Sequence, residues 1–132
     1  MNPSVLLGSR LFLAAGSILA GLSVAAGAFG SHALGDRLSD RALEIFETAA
    51  RYQMYHALGL LAIGIWLSQI EGGRSLLLTA GGAFIVGILV FSGSLYALSL
   101  TGVKLLGAIT PLGGAAFLLG WGCLAIAAFT LK

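Results

Sequence analysis

The stretch Ser75 to Val103, SLLLTAGGAFIVGILVFSGSLYALSLTGV, carries no charge between Arg74 and Lys104. A helix rises about 1.5 Å per residue, so some 20 apolar residues cross the ~30 Å hydrocarbon core of a bilayer. This run is long enough, and three others match it. Leu11 to Gly30 follows Arg10, Tyr52 to Ile70 lies between Arg51 and Glu71, and Leu105 to Leu131 lies between Lys104 and Lys132. The pattern predicts an all-α integral membrane bundle of four transmembrane helices. Its spans fall at residues 11–30, 52–70, 76–101 and 105–129 of a single domain covering 1–132.

Composition points the same way. Apolar residues make up 58% of the chain, charged residues 9%, and the mean hydropathy is +1.01. A soluble domain carries about 25% charged residues, and the few present here could not cover a surface in water. The seven Lys and Arg form no basic stripe, so nucleic acid is not an expected partner. The lone Cys123 sits in an apolar run, where it reads as a small buried hydrophobe and excludes an internal disulfide. Arg10 followed by an apolar stretch and small residues has the look of a secretory signal. The stretch exceeds the roughly 7–15 residues of a signal core, which predicts an uncleaved first span.

One connection is long. Between Ser31 and Arg51, the apolar Leu38, Ala42, Ile45, Phe46 and Ala49 recur at helical spacing, while Asp40, Glu44, Glu47 and Arg51 mark another face. Ser39 or Asp40 is placed to cap it. The expectation is a short amphipathic helix at residues 40–50, lying at the interface before the second span. The other links, around Gly72-Gly73 and Thr101 to Lys104, read as tight turns. Positive charges divide three against four between the two sides, so the positive-inside rule assigns no orientation.

Twenty glycines are present, many inside the runs. Lipid gives helices no hydrophobic reason to associate, so close approach through small residues supplies packing energy instead. On the first run, Gly16 with Ala20, Ser17 with Gly21 and Ser23 with Gly27 form overlapping small-residue pairs four apart. Gly16, Gly27, Gly30, Gly87, Gly93, Gly107, Gly114 and Gly120 are the expected helix-packing positions. Pro111 removes a backbone donor inside the fourth run and predicts a kink, with Thr110 and the nearby glycines accommodating it.

Antiparallel threading collects the polar side chains in one half of the bilayer. His32 ends the first span, while Tyr52, Gln53 and His56 begin the second, just after Glu47 and Arg51. Ser92, Ser94 and Tyr96 lie in the closing half of the third, and Thr110 opens the fourth. These ten residues are the candidate ligand or docking site. Glu47 and Arg51 are four apart and predict an ion pair along one helix face, continued by Tyr55. His32 and His56 raise haem ligation in a helix bundle, but two histidines alone are a weak signal. A third metal ligand is lacking. No cofactor and no metal are expected.

Four strings carry a family resemblance: GAFGSHAL at 27–34, ETAARYQMYHAL at 47–58, FSGSLYAL at 91–98 and GAITPLGG at 107–114, with Gly120-Trp121 following. Across nearly the whole chain, in order, they resemble the small bacterial inner-membrane proteins typified by YgdD and YwdK. The resemblance implies a multi-pass protein of the bacterial inner (plasma) membrane and names no catalytic residue.

The expected function is therefore that of a non-enzymatic accessory or structural component, embedded in lipid and packed in a membrane-protein complex or a homo-oligomer. The alternative is a small oligomeric transporter or channel for an anion, a proton or a lipid-like molecule, with His56 or Arg51 as the handling group. Proton-coupled cation export relies on an acidic group within the membrane, whereas here every Asp and Glu falls in a connection. An intramembrane enzyme would need a nucleophile and base such as Ser92 or Ser94 with His56, and no motif supports one.

Overall fold

A computed structural model describes residues 3–70 and 72–131, with side chains from Leu6 onward. Glu71 and Lys132, which close the second and fourth uncharged runs in the sequence, lie outside the described residues. Helix α1, Pro3–Phe29, continues through a π turn at Gly30–Leu34. Helix α2 is Asp40–Gln69. Helix α3, Ser75–Gly87, passes through a second π turn at Ile88–Ser92 into α4, Gly93–Thr101, and the three form one rod. Helix α5 is Leu105–Thr130. No strand occurs among the described residues.

One expectation needs correction. The separate interfacial helix at 40–50 does not exist: residues 40–69 are one continuous helix of 30 residues. No glycine or proline lies between Asp40 and Leu58, and the Ala49-Ala50 pair favours helix, so nothing breaks the chain where the amphipathic segment meets the apolar one. The Ser39 hydroxyl caps its start, accepting from the Ala42 N–H at 3.2 Å. Among the described residues, three helices are long and apolar enough on their own to cross a membrane: Leu6–Leu34, Ser75–Thr101 and Leu105–Thr130. In α2 the charge-free part contains Tyr52, Gln53, Tyr55 and His56, which dilute its hydropathy.

That least apolar helix is the central one. It packs against α1 and the α3–α4 rod, and α5 packs mainly on that rod while its Phe117 and Trp121 side chains reach α2. Successive helices are antiparallel. Contacts to α2 climb along α1 as they descend α2, from Ser9 with Gly64 through Gly16 with Ala57 to Ser23 with Ala50.

Along α1 and its π turn, the buried residues down to Gly30 are Ser9, Gly16, Ser23 and Gly30, one every seven positions. Opposite them, Ala50, Ala57 and Gly64 repeat with the same period. A seven-residue spacing keeps one narrow seam facing a neighbour along a left-handed crossing. With nothing larger than alanine or serine on it, the backbones come close: a Cβ on Gly16 would lie 2.8 Å from the Ala57 carbonyl oxygen. The packed seam of α1 thus runs seven apart, not at the four-residue spacing of its small-residue pairs.

Elsewhere, rings fill glycine notches. Phe84 is fully buried between Gly59 of α2 and Gly120 of α5, where a Cβ on either glycine would overlap its ring. Phe117 fills Gly87 in the same way, and Phe12 fills Gly81. Gly113 lies against the backbone of Phe91 at the second π turn. A π turn inserts one residue into a helical turn. Here it turns Phe91 toward α5 while Ser92 reaches α2.

Candidate functional site

The candidate polar residues fall into several arrangements and not one site. The largest is a hydrogen-bonded junction of α1, α2 and α4. Gln53 Nε2 donates to the Leu19 carbonyl at 2.8 Å, and the Tyr96 hydroxyl donates to Gln53 Oε1 at 2.9 Å. Ser23 and Ser92 donate to the carbonyls of Ala50 at 2.6 Å and Ala49 at 2.8 Å. Each bond joins two helices. Between α4 and α5, Ser94 and Thr110 share a hydrogen bond of 2.6 Å. Where these groups are buried from water, an unpaired donor or acceptor costs about 1–3 kcal/mol, so mutual pairing holds the helices in register. An apolar groove of about 610 Å³ opens beside the junction, with Gln53, Ser92 and Tyr96 in its wall.

His56 belongs elsewhere. Residues 52 and 56 lie one turn apart on α2, and their rings face α5 instead of α1. The Trp121 indole N–H, which can only donate, points at His56 Nε2 at 3.1 Å. Nε2 therefore accepts, and the ring proton sits on Nδ1, which donates to the Tyr52 carbonyl at 2.7 Å. Phe117 stacks on the imidazole with centroids 3.4 Å apart and planes 7° from parallel. Both ring nitrogens are occupied by protein groups. Tyr52, His56, Phe91, Pro111, Phe117 and Trp121 line a second groove, of about 670 Å³, between α2 and α5. Helix α5 runs unbroken through Pro111, which forms part of that wall.

A third groove, about 450 Å³, lies between α1 and α2, with Glu47, Arg51 and Tyr55 along it. Their expected ion pair is absent: among the described residues the only salt bridge joins the exposed Arg41 and Glu44 at 2.9 Å. Glu47 and Arg51 are both exposed and point along the groove, where an isolated pair gains little over solvation.

His32 is exposed at the first π turn and meets none of the other candidates. The two histidines are thus not paired, and no group of three metal-binding side chains occurs among the described residues. Ser92 and Ser94 hydrogen-bond to Ala49, Phe91 and Thr110, not to His56. Of the glycines expected to pack helices, Gly16, Gly30, Gly87, Gly107 and Gly120 do so. Gly114 makes only ordinary contact with Phe91. A methyl group added at Gly27 or Gly93 would have nothing within 4 Å, because both face grooves.

Sequence reasoning missed the aromatic partners of His56. Trp121 and Phe117 were visible as residues, and only the antiparallel register of α5 against α2 could have set them opposite it. It also missed Gly59, Gly64, Gly81 and Gly113, whose notches depend on which way each helix is rotated.

Comparison with known proteins bears on the same residues. The model of a family described as a protein of unknown function (DUF423) matches residues 26–114. A UPF0382 membrane protein of Staphylococcus epidermidis is 50% identical over 124 residues, covering 93% of this chain and 97% of that one. The UPF0382 membrane protein YwdK of Bacillus subtilis is 44% identical over 119 residues, covering 90% and 96%. No solved structure matches the chain.

Proposed function

Because the chain belongs to the DUF423 family of UPF0382 membrane proteins, we propose that it crosses the bacterial plasma membrane four times and serves there as a non-enzymatic structural or accessory component in contact with lipid. The topology supports α2 as the fourth span. Helices α1 and α3 both run antiparallel to α2, so they point the same way. If both cross the bilayer, the chain must return between them, and α2 is the segment that does so. Its uncharged part, Tyr52 to Gln69, covers about 27 Å as helix, close to the hydrocarbon thickness. A central span need not be uniformly apolar, because its polar face is turned to other helices.

One observation carries the non-enzymatic reading: the polar side chains inside the bundle are already committed to backbone carbonyls or to one another. Among the described residues, Arg74 Nε at the α2–α3 link is the single buried side-chain nitrogen or oxygen without a partner. A nucleophile with a free base, or a wet path lined by unpaired groups, would look different. Topology is tested by single cysteines in a Cys123→Ala background. Ser39→Cys and Val103→Cys should react with an impermeant maleimide from one side of the membrane, and Gly72→Cys from the other. Proteoliposomes should leak protons and chloride no faster than empty liposomes. A flux abolished by Arg51→Ala would replace this reading with a transporter.

A further inference from the structure

The α1/α2 groove sets two charges at an unexpected depth. Ser23 bonds to Ala50 and Leu19 to Gln53, which places Arg51 level with Leu22 of α1. The Ser92–Ala49 bond places it near Phe91 of the α3–α4 rod. Phe91 precedes Thr101, the end of that 27-residue apolar rod, by ten residues. Such a rod is about 40 Å long against ~30 Å of hydrocarbon, so the Arg51 backbone lies roughly 10 Å inside the apolar boundary. A charge there is costly unless its side chain reaches outward and finds a partner.

No such partner is found within the described residues. Arg51 and Glu47 form no ion pair with each other or with a third group, and the Tyr55 hydroxyl makes no hydrogen bond among them. The three stand at intervals of four along one face of α2, each about 6 Å further along the membrane normal than the last. Glu47 is nearest the surface, Arg51 intermediate and Tyr55 deepest. The groove beside them is open because α1 presents Gly27 there, with nothing within 4 Å of where its side chain would be.

We propose that this groove binds a zwitterionic glycerophospholipid whose headgroup ends in a primary ammonium, the phosphatidylethanolamine class. Its ammonium and phosphate succeed one another inward in the same order as Glu47 and Arg51. The carboxylate accepts from the ammonium, and the guanidinium, reaching outward from its backbone, donates to the phosphate, while Tyr55 near mid-depth flanks the acyl chain. One acyl chain then runs inward past Met54. An anionic lipid without the ammonium leaves Glu47 against a negative headgroup, and a choline headgroup offers it no N–H donor. The inference rests on α2 spanning the membrane, which the cysteine labelling above tests separately from lipid retention.

The test is native mass spectrometry of the purified protein in mild detergent, titrated with phosphatidylethanolamine, phosphatidylglycerol and phosphatidylcholine of identical acyl chains. Phosphatidylethanolamine should be retained at least about fivefold better than either, the effect of one charge-assisted hydrogen bond. Glu47→Gln should abolish the preference, and Arg51→Ala should weaken retention of all three lipids, because all three carry the phosphate. Glu47→Lys should invert the preference toward phosphatidylglycerol, a gain that a merely misfolded variant cannot produce. Equal retention of the three lipids, or a preference unchanged by Glu47→Lys, overturns the proposal. So does a protein dimer that Glu47→Arg and Arg51→Glu each disrupt singly and restore together, since the groove partner is then a second copy.

Discussion

The two ends of the bundle are held together by different physics. Toward the Gly72-Gly73 link, the core is Leu60, Ile63, Leu67, Ile70, Leu77, Ala80 and Ala127, with Phe84 keyed between two glycines near mid-depth. Among the described residues there, one side-chain hydrogen bond joins two helices, from Ser9 to the Gly64 carbonyl at 2.7 Å. Toward the long connection, Ser23, Gln53, Ser92, Ser94, Tyr96 and Thr110 tie α1, α2, α4 and α5 by directional bonds. Lipid tails are as apolar as leucine, so apolar side chains alone give no reason to prefer a neighbouring helix over lipid. The apolar end must therefore depend on shape. The polar end can tolerate looser packing, and it is there that the grooves holding Gln53 with Tyr96, and Glu47 with Arg51, open.

The sharpest way to break this contrast is to fill a notch. Gly64→Leu drives a side chain against the Ser9 carbonyl of α1, which cannot turn aside as a side chain can, and Gly120→Leu drives into Phe84. Each should cost about 3 kcal/mol or prevent folding outright, read as a lost or strongly lowered melting transition in detergent. Gly93→Leu and Gly27→Leu face open grooves and should change stability by less than about 0.5 kcal/mol. A similar loss at all four positions would mean that shape does not distinguish the two ends.

A smaller effect is expected from the polar junction. Gln53→Leu strands the Tyr96 hydroxyl and the Leu19 carbonyl, and should lower stability by about 1–2 kcal/mol. In a double-mutant cycle with Tyr96→Phe the losses should fall short of additive, because the two side chains share one bond. Strict additivity would show that the bond contributes nothing. Smaller than that of Gln53→Leu should be the effect of Trp121→Phe, which keeps an aromatic ring over His56 but removes its N–H donor. A loss of roughly 0.6 kcal/mol is the usual scale for one hydrogen bond between membrane helices.

The polar clustering could be read directly from residue order, because antiparallel threading fixes which ends of successive runs share a depth. Its subdivision could not. Gln53 and His56 are three residues apart, yet one faces α1 and α4 while the other faces α5. The Glu47–Arg51 pairing failed for a related reason: spacing of four permits a bond without requiring one, and two exposed side chains gain little by making it. The interfacial helix failed because amphipathic and apolar periodicity meet inside α2 without a breaking residue between them.

What could be known from the chain alone was the solvent, the helical class and the approximate ends of the helices. These depend on local quantities, the length of uncharged runs against bilayer thickness and the placement of Ser39 and the glycine turns. Only the tertiary structure decided which faces meet: the seven-residue seam of Ser9, Gly16, Ser23 and Gly30, the rings set into Gly59, Gly87 and Gly120, and the capture of His56 by Trp121. Helix rotation is set jointly by all neighbours. In a chain rich in glycine and alanine, many rotations present a small-residue face, and only packing the whole bundle selects one.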